Sequence, residues 1–203
     1  MNHGLLLVGG GGHCLSAIEV IESAALPIAG IIHGNDCAFE PVWSYPALGR
    51  DGDLAALRQE YQKALVTVGQ IKTPELRKRL FSLLTSLEFE LPVIIASSAV
   101  VSRHAPVAAG TIVMHQAVVN SSAAVGRNCI INTSAIVEHG CTVADHCHIA
   151  VGALLCGDVS IGEGSFIGAG AIVRSGTHVG KGCIVGMGSK VLGNIPDGAV
   201  HVG

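Results

Sequence analysis

The stretch Ile131-Asn132-Thr133-Ser134-Ala135-Ile136-Val137-Glu138-His139-Gly140-Cys141-Thr142-Val143-Ala144-Asp145-His146-Cys147-His148-Ile149 carries an aliphatic residue at every sixth position, with a small residue four places after each. The pattern continues in both directions. Val101, Val107, Val113, Val119 and Val125 precede it, and Leu155, Ile161, Ile167, Val173, Val179, Val185 and Val191 follow, so sixteen successive positions are aliphatic. The small series includes Ala105, Thr111, Ala117, Ala123 and Cys129 before the stretch, and Ala153, Ser165, Ala171, Thr177, Cys183 and Ser189 after it. Val159 and Ile195 are its larger members. A period of six fits neither a 3.6-residue helix nor a simple hairpin. It fits a solenoid of short flat strands joined by tight turns, three hexads to a triangular coil. Each residue then lies over the one eighteen positions later, at the ~4.8 Å spacing of paired parallel strands.

The repeat occupies residues 96–203, and residues 1–95 read differently. Leu5 to Val8 is a short buried strand, Gly9 to Gly12 a glycine loop, and Ala17, Ile18, Ile21 and Ala25 lie on an amphipathic segment. Ile28–Ile32 and Leu65–Val68 read as further strands. Between them Asp53 is placed to cap a helix carrying Leu54, Leu57 and Tyr61. Thr73-Pro74-Glu75 opens a helix bearing Leu76, Leu80, Leu83, Leu84 and Leu87. Alternating strands and helices imply a small parallel sheet, so the expectation is an α/β domain followed by a parallel β-helix.

Composition narrows the function. Of 203 residues 49% are apolar, while only 3% are aromatic and 27 are glycine, which suits narrow repetitive layers filled by Val, Ile, Ala and Cys. A net charge of −3 with no basic run argues against nucleic acid or an anionic membrane as partner. No stretch approaches a spanning helix, and Leu5 to Val8 is too short for a secretory signal. Seven cysteines without a CxxC pair indicate buried free thiols in a reduced, cytoplasmic protein.

Among the ten histidines, His139 stands out because Glu138 precedes it and Gly157 lies one coil away. A glycine there leaves a slot and exposes a backbone N–H, next to a side chain suited to general-base work. Gly157 also has the plainer reading of a turn glycine in a glycine-rich solenoid. Zinc is not expected, since the spacing His139-x6-His146-x-His148 lacks the His-x4-His pairing of the solenoid carbonic anhydrases. The loop Gly9 to His13 between strand and helix offers backbone N–H groups to phosphate. No acid ends the second strand, which reads Ile32-His33-Gly34-Asn35-Asp36, so NAD is disfavoured.

The hexapeptide pattern resembles the left-handed β-helix acyltransferases. Taken with Gly9 to His13, Ser44-Tyr45-Pro46-Ala47-Leu48-Gly49, Leu65 to Gly69, Ile131-Asn132-Thr133 and Val137-Glu138-His139, nearly the whole chain is similar to the bacterial nucleotide-sugar N-acetyltransferases of the bacillosamine and perosamine pathways. Sialic acid O-acetyltransferases are among their relatives. The resemblance implies a left-handed helix, a homotrimer, and acetyl-CoA as co-substrate. It makes His139 the base, supported by Glu138 and Asn132, and sets His148 and the Gly157 amide at the acetyl group. Ala169 and Met187 would hold the pantetheine arm. Gly11, Gly12 and His13 would cradle the pyrophosphate of a nucleotide sugar, with Gly69 nearby and His33, Gly34 and Asp36 after the second strand. The family often has an acid directly after the base, where this chain has Gly140. The expected activity is N-acetylation of a nucleotide-linked 4-amino-4,6-dideoxy sugar. O-acetylation of a sialic acid and a non-catalytic sugar-nucleotide scaffold are the alternatives.

Overall fold

The computed structural model describes residues 2–203. The first part is a parallel sheet of β1 (Asn2–Val8), β2 (Ile28–His33), β3 (Ala47–Arg50) and β4 (Tyr61–Val66), in the spatial order β3-β2-β1-β4. Three helices accompany it: α1 (Gly12–Ser23), the single turn α2 (Leu54–Leu57) and α3 (Glu75–Ser86). Leu5, Leu6, Leu7 and Val8 are all buried, as expected of a central parallel strand covered on both faces.

Several local expectations shift. Tyr61 does not extend the helix of Leu54 and Leu57 but opens β4, where it pairs with Asn2 of β1. A four-residue helix has too few internal hydrogen bonds to hold the chain against that pairing. The strand expected at Leu65–Val68 therefore starts earlier and ends at Val66, and Ala47–Arg50 supplies an additional edge strand. Ala25 lies beyond α1 in a left-handed conformation (φ 55°), which ends the segment before it. The third helix starts at Glu75, whose N–H donates to Thr73 Oγ1 at 3.3 Å.

From Ile94 onward the chain winds as a three-sided parallel solenoid. Two-residue strands pair with those eighteen residues on: Ile131 with Ile149, Val137 with Leu155, Val143 with Ile161. From Val113 to Val191 every sixth-position aliphatic is buried, and Val101 and Val107 pack partly buried against the same core. The small series from Ala105 to Ser189 is buried as well, together with Val159 and Ile195. Three residues after each aliphatic the backbone turns through positive φ, unbroken from Gly110 to Gly188. Most of these turns use glycine, which takes that conformation without a steric cost. Gln116, Ser122, Asn128, Ser134, His146 and Asp158 are the turn residues with side chains.

The sheet and the solenoid share a core. Cys14, Ala17, Ile18 and Ile21 of α1 cluster with Ile94, Ile112, Met114 and Ile130 of the first coils. Arg77 of α3 forms a second tie. Fully buried, it donates to the carbonyls of Val66 and Val68 and to Asn128, at 2.8 Å to Oδ1 and 3.2 Å to the carbonyl. No helix among the described residues is long and apolar enough to cross a membrane.

Candidate active site

A cavity of about 750 Å³ opens where the chain leaves the carboxyl ends of β1, β2 and β4. Open parallel sheets bind ligands at this end, because the loops there carry helix N-termini and free N–H groups. Gly9–His13 follows β1, Gly34–Cys37 follows β2 and Thr67–Ile71 follows β4. Asp51, Leu76, Arg79 and Leu80 extend the wall, and the solenoid contributes Asn132 and His148. Thus Gly11, Gly12, His13, Gly34, Asp36, Gly69, Asn132 and His148 of the expected site meet in one place.

The glycine loop has a physical reason. Gly11 is the N-cap of α1 without any side-chain cap, and a Cβ at Gly11 or Gly12 would meet nothing within 4 Å. The first N–H groups of a twelve-residue helix therefore face open space. Gly10 is different: a Cβ there would strike Cε1 of His33 at 2.5 Å. His33 turns away from the cavity. It is buried, with Nε2 paired to the Glu40 carbonyl at 2.9 Å, while Gly34 and Asp36 reach the cavity wall.

Two histidines meet in the cavity in different states. His148 Nδ1 lies 2.6 Å from the Gln70 carbonyl, which can only accept, so Nδ1 carries the proton. Nε2 then accepts from Asn132 Nδ2 at 3.0 Å, and Asn132 Oδ1 accepts from the Thr133 N–H at 2.8 Å. Burial pushes the His148 imidazole down to about 4 despite its bond to the Gln70 carbonyl, with Arg77 adding to the fall. Burial lowers His13 further, to about 3, with smaller contributions from Arg77 and His148. Nε2 of His13 is buried and has no partner among the described residues. Gln70 Oε1, in the same cavity wall, is likewise buried without a partner among the described residues. His148, expected at the acetyl group, has both ring nitrogens already engaged.

The remaining expected residues lie on the edges of the prism. His139 is exposed, and its ring lies against Gly157, where a Cβ would come within 2.6 Å of Cε1 and Nε2. Gly157 is not a positive-φ residue, so the turn does not require glycine there; the imidazole does. The Gly157 N–H meets no acceptor among the described residues. Glu138 does not engage the ring: its Oε2 accepts from the His139 backbone N–H and from Asn120 Nδ2, both at 3.0 Å. Ala169 and Met187 stack one coil apart on another edge, joined by the bond from the Gly188 N–H to the Ala169 carbonyl at 2.8 Å, and Met187 is 82% exposed. Within one chain, then, the His139 edge and the cavity are separate.

Sequence reasoning did not single out Gln70, Arg77 or Asn128. Arg77 left a signal, since it shares the buried stripe of α3 with Leu80 and Leu84. Asp145, beside His146 in sequence, is held instead by Arg127 at 2.6 Å, which together with the Arg127 backbone N–H keeps its carboxyl low despite burial.

Comparison with known proteins places this geometry among relatives. Residues 158–192 match the model of the hexapeptide repeat of succinyl-transferase. A His-to-Asn variant of perosamine N-acetyltransferase from Caulobacter crescentus, in complex with CoA and GDP-perosamine, is 32% identical with a TM-score of 0.93 over 98% of this chain and 93% of that one. The acetyltransferase domain of PglB from Neisseria gonorrhoeae FA1090, with acetyl coenzyme A, is 33% identical with a TM-score of 0.91 over 100% and 97%. WeeI from Acinetobacter baumannii AYE, at 21% identity and a TM-score of 0.85 over 98% and 96%, shares the fold. No curated protein sequence matches the chain.

Proposed function

This chain belongs to the bacterial sugar acetyltransferases of the left-handed β-helix, hexapeptide-repeat fold, and we propose that it moves the acetyl group of acetyl-CoA onto the amine of a nucleotide-linked 4-amino-4,6-dideoxy sugar. The observation that carries the substrate class is the cavity at the uncapped N-terminus of α1, with the unpartnered His13 Nε2 in its wall. Such a site favours the anionic diphosphate of a nucleotide sugar. Asp36, Asn35 and Asp51 line the cavity and are suited to the base and ribose, and Asn132, held by His148, to the sugar ring.

Acetyl-CoA supplies the acyl carbon: the amine nitrogen bonds to it, the C–S bond breaks and CoA leaves as the thiol. His139 takes the proton that the amine sheds and returns it to the departing sulfur. The N–H of Gly157, the residue the ring lies against, has no acceptor among the described residues and would stabilise the carbonyl oxygen as it gains charge. Ala169 and Met187 flank the pantetheine arm. Because the cavity and the His139 edge lie apart on one chain, the site is assigned to the cleft between two copies, closed as a homotrimer. The seven free thiols support a cytoplasmic setting.

The test is a thiol-release assay with acetyl-CoA against UDP-, GDP- and dTDP-linked 4-amino sugars and CMP-sialic acid. Turnover of one or more amino sugars supports the reading. Turnover of the sialic acid alone replaces it with O-acetylation, and none at all points to a binding scaffold.

A further inference from the structure

We propose that His146, on a solenoid turn that does not line the cavity, is a positioning residue for the nucleotide sugar, acting as a neutral imidazole through Asn128 and Arg77 on the loop after β4. The inference rests on the reading of the cavity as the nucleotide-sugar site. The chain of contacts begins at Arg77, a buried cation whose hydrogen-bond partners are all neutral: the carbonyls of Val66, Val68 and Asn128, and Asn128 Oδ1 at 2.8 Å. Val66 ends β4, and Val68 belongs to the cavity wall itself. A guanidinium can only donate, so the Asn128 amide must turn its oxygen to Arg77. Its Nδ2 then donates to the Arg77 carbonyl at 3.3 Å and to His146 Nδ1 at 2.9 Å. Nδ1 must therefore accept, and the ring proton sits on Nε2. Every polarity in this chain is dictated from its buried end.

Protonation of His146 breaks the chain. With Nδ1 as a donor, two N–H groups face each other across 2.9 Å; if the amide turns over to accept, its NH2 group faces the guanidinium instead. Either arrangement sets donor against donor out of reach of water, since Asn128 is fully buried. The two carboxylates that act on His146 are held elsewhere, Asp145 by Arg127 at 2.6 Å and Glu163 by Lys78 at 2.9 Å. The ring is half-buried, edge-on to Phe81 of α3 with centroids 5.5 Å apart, against the helix that also carries Arg77. Burial lowers its imidazole below the ordinary 6.5; Lys78 and Arg127 add to the fall, while Asp145 and Glu163 oppose it. The relay is thus complete above pH 6.5 and is lost as the pH falls through that lowered value.

The test is the affinity of the whole protein for GDP-mannose, UDP-glucose and dTDP-glucose, measured by calorimetry between about pH 8 and about pH 5. That window lies above the titrations of His13 and His148, at about 3 and about 4. The tightest binder should bind about fivefold more weakly at the acid end, with acetyl-CoA affinity unchanged. His146→Asn keeps an acceptor, suits the left-handed turn (φ 61°) and cannot titrate. It should match the wild type at the alkaline end and lose the pH dependence. Imidazole nitrogen shifts read the relay without any ligand: His146 should show the Nε2–H tautomer. Asn128→Asp, which turns an acceptor towards the ring, should switch it to Nδ1–H and raise its titration midpoint. The Nδ1–H tautomer in the wild type, or an undiminished pH dependence in His146→Asn, would overturn the role of His146 alone. Failure of all three sugars to bind at any pH would bring down the cavity reading and this role with it, while the ring signature would persist.

Discussion

The contact between His139 and Gly157 makes the role proposed for His139 testable from its neighbour. Gly157→Ala is compatible with the backbone, yet its methyl would enter the space held by the imidazole at 2.6 Å. Thermal melting should change little while kcat falls by about 10²-fold, as for a catalytic group displaced by about an ångström. His139→Ala should cost about 10² or more in kcat, within the range for general-base catalysis. The cavity histidines give a pH prediction of opposite kind. His13 and His148 are held neutral, at about 3 and about 4, whereas the unfolded chain protonates both near 6.5. The unfolded state then binds more protons as pH falls, so their contribution is complete above pH 6.5 and is lost on acidification towards pH 4. Between pH 6.5 and 5 each should cost on the order of 2 kcal/mol of stability, measurable by urea titration, and His148→Asn should flatten the dependence. The pairing of His139 with Gly157 was legible from the repeat, because register alone brings them together. The roles of Gln70 and Arg77 were not, because one depends on where the loop after β4, and the other on where α3, meets a coil of the solenoid.

At the scale of elements, the solenoid was legible because one residue in six repeats a single physical demand. Ile149 is fully buried between Ile131 and Ile167. Ile149→Asp would place an unpaired carboxylate in that column and should cost about 4 kcal/mol or more, seen as loss of soluble protein or a large fall in melting temperature. The sheet was legible only in outline. Leu5 to Val8 announces a strand by burial on both faces, but β3 (Ala47–Arg50) is a short edge strand with one buried residue and no alternation to betray it. The segment around Tyr61 failed for another reason. Leu54, Leu57 and Tyr61 have helical spacing, yet pairing with β1 outweighs a helix of one turn. Arg50 shows how such an edge still serves the site: its guanidinium donates to the carbonyls of Gly34, Asn35 and Cys37, holding the loop that lines the cavity.

For the whole molecule, the separation of cavity and His139 edge predicts intermolecular complementation. Gly12→Asp has open space and suits the first turn of α1, but sets a negative charge against the diphosphate. It should fold and be inactive, as should His139→Ala. Co-expressed in equal amounts, the two should regain about a quarter of wild-type activity if each site combines two protomers. No recovery would mean that each chain holds a whole site. The solenoid has one more consequence, for the lengths its chain is free to take. Since one circuit takes eighteen residues, chain length in the coils acts as a phase. Eighteen residues inserted at the exposed turn at Gly176 would lift Met187 by one storey and return it to the edge it shares with Ala169. Six residues inserted there would satisfy the core equally well, but would carry Met187 a third of the way round, onto the edge of His139. Stability is therefore indifferent to a six-residue indel that would take Met187 away from the role proposed for it, and on that reading viable length changes in this part of the chain are counted in whole circuits.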